Sequence, residues 1–237
     1  MNARQSLYLL PLVPTLFAVT ALYYKKRYQK NNLFLTEAVA ASCAIICILI
    51  HLLSSTGGNA VWFLVASFFF SINGDLAMKR RTGKKDSDKD FALGIFFFLL
   101  AHFGYLSYAL TKVRFSWPIF VVLVIPFIIA YVVILYFRIY LPKGGLKGKE
   151  TVATFVFVYL MISCLSLSAS IDLHGGSVAR WVYTAAIASL FISDAFIAFR
   201  EFLKRKRIMP FIMPLYYLCH ILIALSFIME YMGTIIL

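Results

Sequence analysis

Eight apolar runs, each long enough to cross a hydrocarbon core of ~30 Å, divide this chain. They are Leu7–Tyr24, Leu33–Leu53, Ala60–Met78, Phe91–Leu110, Trp117–Phe137, Thr151–Ile171, Arg180–Phe199 and Met209–Leu237. A backbone that crosses lipid must satisfy its own hydrogen bonds, so such runs are helices. The connections are short, which makes neighbouring helices antiparallel and leaves no room for a separate domain. The sequence therefore predicts an all-α integral membrane protein: an eight-transmembrane-helix bundle, with residues 1–237 forming a single transmembrane domain.

Charge sets the expected orientation. Of the 23 Lys and Arg residues, 19 fall in the first, third, fifth and seventh connections, and only Arg4, Lys112, Arg114 and Arg180 fall on the other side. Basic residues mark cytosolic connections. With an even number of spans, both termini are expected outside, in the lumen or periplasm. The net charge of +13 would suit nucleic acid, but its short clusters between apolar runs are those of membrane loops, so no nucleic acid is expected. The host would be a bacterial inner membrane or the endoplasmic reticulum, and membrane lipids are the expected surroundings. The first run lacks a basic leader and ends in lysines, so it reads as a retained span. Cys43, Cys47, Cys164 and Cys219 all lie inside apolar runs, with neither metal-ligand spacing nor a disulfide framework. No metal and no cofactor are expected.

Against this background the polar residues inside the runs stand out. A carboxylate within a span costs at least ~2.5 kcal/mol on insertion scales and usually faces a bundle interior or a wet cavity. Asp75 ends the third run, with Ser67 and Ser71 on its face at i−8 and i−4. It lies four residues before Lys79, roughly 6 Å inside the expected cytosolic boundary. Asp194 lies six residues before Arg200, roughly 9 Å inside the same boundary. The fourth run carries His102 and Tyr105 toward mid-depth, and the eighth carries Tyr216, Tyr217 and His220. Tyr159, Ser163, Ser166 and Ser170 form a stripe on one helical face of the sixth run. Serines in spans commonly bond back to the helix or across to a neighbour, so the stripe reads as structural. Glu37 and Glu230 fall near span ends and read as interfacial. Pro126 in the fifth run and Pro210 and Pro214 in the eighth mark kinks or helix starts.

These same residues carry a resemblance. Gly74-Asp75 ends the third run, and Phe91-x-x-Gly94 through Ala101-His102-x-x-Tyr105 occupies the fourth. Tyr159-Leu160-Met161 lies in the sixth, and Phe191-Ile192-Ser193-Asp194 with Ala198 and Phe202 in and just beyond the seventh. Tyr216-Tyr217 and Leu222-Ile223 follow in the eighth. In order and spacing these blocks, from about Ser67 to Leu225, resemble the YhhN/TMEM86 family of multi-span membrane proteins. Its characterised members are lysoplasmalogenases, which cleave the vinyl ether of a lysoplasmalogen to a fatty aldehyde and a glycerophospho-base. The resemblance implies a lysophospholipid substrate, with Asp75 and Asp194 as the catalytic pair. It implies substrate binding by His102, Tyr105, Tyr159, Ser193, Tyr216, Tyr217 and His220. One position departs: His220 stands where the family usually has Gln.

The chemistry suits these residue types. Vinyl ether hydrolysis begins with protonation of the β-carbon, which leaves an oxocarbenium ion for water to capture. One carboxyl group can hold the proton while a second, as carboxylate, faces the cation; like charges held close do not both ionise. This reading expects the two aspartates on facing helices around one cavity, with His102 and Tyr216 on its wall. A transporter or a lipid-binding membrane protein would use the same buried polar cluster, and is the alternative.

Overall fold

The computed structural model describes residues 6–28, 32–53, 58–80, 87–112, 121, 125, 150–172, 178–203 and 209–236. Apart from a 3-10 turn at Leu7–Leu9, they form seven α-helices: α1 (Leu12–Tyr28), α2 (Leu33–Leu53), α3 (Val61–Arg80), α4 (Ser87–Leu110), α5 (Glu150–Asp172), α6 (Val178–Leu203) and α7 (Met209–Ile236). No strand occurs among the described residues. Six segments are long and apolar enough to cross a membrane: Leu7–Tyr28, Leu33–Leu53, Val61–Met78, Asp90–Leu110, Val178–Ile197 and Pro210–Gly233. Within α5 the apolar stretch is Val158–Ile171. The chain is a helical, multi-pass membrane protein. The fifth apolar run, with Pro126 and the glycine-containing connection that follows it, lies almost wholly outside the described residues.

Helix boundaries follow local chemistry. Asn32 accepts a hydrogen bond from the Leu35 amide through its side chain (3.3 Å), which caps α2 and fixes its start. Pro210 occupies the first turn of α7, where no amide hydrogen is required. The helix continues through Pro214. Ser193 of α6 donates to the Ile212 carbonyl (3.0 Å) just before that proline, pinning the two helices together.

Packing closes α2 through α7 into a ring, each helix against its neighbour in chain order and α7 back against α2. Helix α1 lies outside the ring on α2 and α7. It buries only Pro14, Ala18 and Ala21, small residues that allow a close approach. Its large side chains Leu12, Leu16, Val19 and Tyr23 face outward, as lipid-facing residues do.

The α3–α4 pair is closely apposed at its glycines. A Cβ on Gly94 would meet Met78 Cγ at 2.9 Å, and one on Gly74 would meet the Phe98 ring at 2.9 Å. One on Gly104 would run into Ser67 Oγ and come within 2.7 Å of the Phe63 carbonyl. These contacts run in antiparallel register down the pair, and the last involves backbone that cannot swing aside. Gly104→Ala should therefore destabilise the protein by ~1–3 kcal/mol, the usual cost of overpacking. Gly233, with nothing within 4 Å of an added Cβ, is the control. Gly233→Ala should be neutral or stabilising by up to ~1 kcal/mol, as helix propensity favours Ala. Thermal unfolding in detergent measures both, and equal effects would show that the α3–α4 approach is looser than described.

Candidate active site

The ring encloses polar groups that bond across it. His102 of α4 and Asp194 of α6 are 1% and 6% exposed, and His102 Nε2 lies 3.0 Å from Asp194 Oδ2. The same nitrogen is 3.2 Å from the Tyr159 hydroxyl and 3.3 Å from Ser163 Oγ, both on α5. Tyr159 also hydrogen-bonds Asp194. Ser163 donates to the Tyr159 carbonyl at 3.0 Å, and Ser166 donates to the His102 carbonyl at 3.2 Å. The serine stripe thus fastens α5 to α4 beneath the imidazole.

A second group surrounds Asp75. Tyr216 of α7 donates its hydroxyl hydrogen to Asp75 Oδ2 at 2.8 Å. Ser71, one turn before Asp75 on α3, hydrogen-bonds Tyr216 and Tyr105. The Tyr105 hydroxyl is 3.5 Å from His220 Nδ1, and the His220 ring packs edge-on at 4.4 Å from Tyr216 and at 5.4 Å from Phe68. Beside this group, Thr36 of α2 and Tyr217 share a hydrogen bond of 2.8 Å. The adjacent Glu37 lies within electrostatic reach of Asp75.

A narrow cleft opens at the same end of the bundle. Its walls come from α3 (Met78), α4 (Phe91, Ile95, Phe98), α5 (Tyr159, Leu160) and α6 (Asp194, Ile197). It leaves about 20 Å³ in which a water centre can sit, enough for one water. The walls are almost wholly apolar, with Tyr159 and Asp194 the polar residues among them.

Of the expected site residues, Asp194 and Tyr159 reach the cleft. This cleft does not hold all of the expected residues. Asp75, Tyr216 and His102 are absent from its walls, and the two aspartates belong to separate hydrogen-bonded groups. Phe98 links them: its ring lines the cleft, fills the space at Gly74 beside Asp75, and stands edge-on to Tyr216 with centroids 6.2 Å apart. Ser193 and Tyr217 are spent on helix-to-helix bonds, and His220 packs behind Tyr216. Sequence reasoning missed Phe98 because one phenylalanine in the run Phe96-Phe97-Phe98 carries no distinguishing signal.

The two glutamates, near span ends as expected, make specific contacts. Glu230 accepts from Tyr108 at 2.8 Å and pairs with Lys112, whose ammonium also lies 4.3 Å from the Tyr108 ring centre. Burial pulls the Lys112 ammonium below its ordinary range, an effect that Glu230 opposes. This cluster ties α4 to α7 at the end opposite the cleft. Glu37 has one carboxyl oxygen shut off from solvent with no hydrogen-bond partner among the described residues.

Fold and interior define a class: a multi-pass helical membrane protein with a buried Asp–His pair beside a small apolar cleft. The chain belongs to the YhhN family, whose model matches residues 35–227. The matched segment begins in α2 and omits α1, the helix outside the ring. No curated protein and no solved structure matches the chain.

The Thr36–Tyr217 bond predicts a measurable coupling. In a double-mutant cycle with Thr36→Val and Tyr217→Phe, unfolding free energies should show a coupling of ~0.6–1.7 kcal/mol, as for hydrogen bonds between spans. Strict additivity would mean that the bond does not hold α2 on α7.

Proposed function

We propose that this YhhN-family protein is a membrane-embedded hydrolase that cleaves the vinyl ether of lysoplasmalogens, of the ethanolamine or choline type, to a fatty aldehyde and a glycerophospho-base. The observation that carries this reading is Asp194 on the wall of an apolar cleft, bonded to buried His102, with Asp75 beside the Gly74 that the Phe98 ring covers. In this reading the cleft widens between the helices to admit the lipid tail, and the ether comes to lie against Phe98.

In this mechanism the two aspartates divide acid and carboxylate roles. One carboxyl proton adds to the β-carbon of the vinyl ether, and the other group, as carboxylate, faces the oxocarbenium ion. Water captures the cation to give a hemiacetal, which collapses to aldehyde and alcohol. A general acid contributes ~10²–10⁴-fold, and a preorganised charge opposite the cation contributes several kcal/mol more. Tyr216 holds the Asp75 carboxyl and His102 holds that of Asp194.

Asp75→Asn and Asp194→Asn should each leave a folded protein whose aldehyde release from a lysoplasmalogen falls by ~10²-fold or more. Ser166→Ala should stay within a fewfold of wild type, because its bond to the His102 carbonyl serves packing. Aspartate variants that turn over within about tenfold of wild type would defeat the acid–carboxylate mechanism. The transporter or lipid-binding alternative would then be the better account.

The arrangement also rests on orientation. We place both termini outside and the basic connections in the cytosol, with eight spans in all, so that the cleft opens near the cytosolic face. Single-cysteine labelling should find the 79–90 connection inside and the 172–179 connection outside. Labelling of both from one side would remove a span and reverse the geometry of entry.

A further inference from the structure

Two of the side chains that line the cleft rest on glycine. Phe98 of α4 lies against Gly74 of α3, and Met78 of α3 lies against Gly94 of α4. The two contacts are reciprocal. Met78 follows Gly74 by one helical turn, and Phe98 follows Gly94 by one turn. In an antiparallel pair this spacing sets each large side chain on the glycine of the other helix. Both contacts are as close as glycine permits. A Cβ on Gly74 would stand 2.9 Å from Phe98 Cε1 and Cζ, and one on Gly94 would stand 2.9 Å from Met78 Cγ and 3.1 Å from its sulfur. Neither side chain can draw back further from the cleft while the two backbones stay in place. A methyl group at either glycine would push the ring or the thioether away, and the open space beside both is the cleft.

The cleft has no slack to absorb such a shift, because it holds one water. Nor can the rest of its wall yield easily. Tyr159 and Asp194 are tied to His102, and Ile95 is β-branched and buried in the core. An entering chain therefore draws its clearance from Met78, which is unbranched with three rotatable bonds, and from the Phe98 ring.

We propose that Gly74 and Gly94 are specificity-determining positions of the cleft: by seating Phe98 and Met78 they hold it to the girth of one unbranched aliphatic chain. This deepens the hydrolase reading and rests on its placing of the lipid tail in this cleft. The α3–α4 glycines then divide their roles by what faces them. At Gly104 the obstacle to a Cβ includes the Phe63 carbonyl, so substitution there acts on stability. At Gly74 and Gly94 the obstacles are flexible side chains, so substitution acts on the cleft.

Binding of a 1-alkyl lysophosphatidylcholine, which has no vinyl ether to cleave, tests this apart from catalysis. Straight-chain and methyl-branched forms are titrated onto purified protein, and bound lipid is counted by native mass spectrometry. Gly74→Ala and Gly94→Ala should remain folded, since helix propensity favours Ala. Each should bind the straight-chain lipid ~10-fold or more weakly than wild type, the effect of one misplaced methylene in an apolar pocket. Trimming the matched side chain should bring binding back to within a fewfold of wild type: Phe98→Leu with Gly74→Ala, and Met78→Ala with Gly94→Ala. The crossed pairs, Met78→Ala with Gly74→Ala and Phe98→Leu with Gly94→Ala, should not recover. Wild type should bind the branched lipid ~10-fold or more weakly than the straight one, and Met78→Ala alone should narrow that gap. Glycine variants that bind like wild type, crossed pairs that recover as well as matched ones, or a wild type indifferent to branching would each overturn the proposal. Should a glycine variant not fold, Met78→Ala and Phe98→Leu decide alone: failure of both to gain the branched chain overturns it. Wild-type protein that binds neither lipid overturns both this and the placing of the tail. Wild-type protein that binds the straight chain but releases no aldehyde from a lysoplasmalogen defeats the hydrolase reading alone.

Discussion

A carboxyl group in the interior of a membrane bundle must be given hydrogen-bond partners, and here an imidazole from across the ring meets Asp194. Leaving such a charge unpaired costs several kcal/mol, and removing one partner of a buried pair is more damaging than never having had it. The His102–Asp194 contact at 3.0 Å therefore constrains far more than two residues. It fixes the rotation of α4 and α6 about their axes, and Tyr159 and Ser163 then fix α5 against both. The Asp75–Tyr216 bond does the same for α3 and α7. Polar contacts across the ring thus set a register that apolar packing against lipid-like neighbours leaves loose.

Close backbone approach is the second requirement. Hydrogen bonds of about 3 Å between side chains on different helices need those helices near one another, and on the α3–α4 pair glycine provides the space. Gly74 accommodates the Phe98 ring, which is why an aromatic group can stand between the two acidic groups without forcing the helices apart. The same ring separates the cleft from Asp75.

Much of this was legible in the sequence because lipid imposes simple rules. Run length located seven described helices with ends within a few residues, since the cost of unsatisfied backbone in hydrocarbon leaves few alternatives. The depth of Asp75 and Asp194, and their rarity, pointed to the interior. What could not be read was rotation. Depth along a helix follows from counting, but which neighbour a side chain meets depends on packing across the ring. That is why His102 was legible as a buried polar residue while its pairing with Asp194 was not. Tyr217 and Ser193, site residues by the resemblance, also bond to Thr36 and to the Ile212 carbonyl, contacts that counting along a helix does not reveal. Glu37 looked interfacial, yet one of its oxygens is sealed from solvent beside the Asp75 group.

The proposed chemistry requires a double bond next to the ether oxygen, because only a vinyl ether forms an oxocarbenium ion by carbon protonation. The most direct measurement compares purified wild-type protein on three lysolipids with the same headgroup and chain length: 1-alkenyl, 1-alkyl and 1-acyl. The account predicts aldehyde from the alkenyl lipid alone, with no cleavage of the alkyl ether and no fatty acid from the acyl ester. Release of fatty acid from the acyl lipid, or intact recovery of all three, would contradict it.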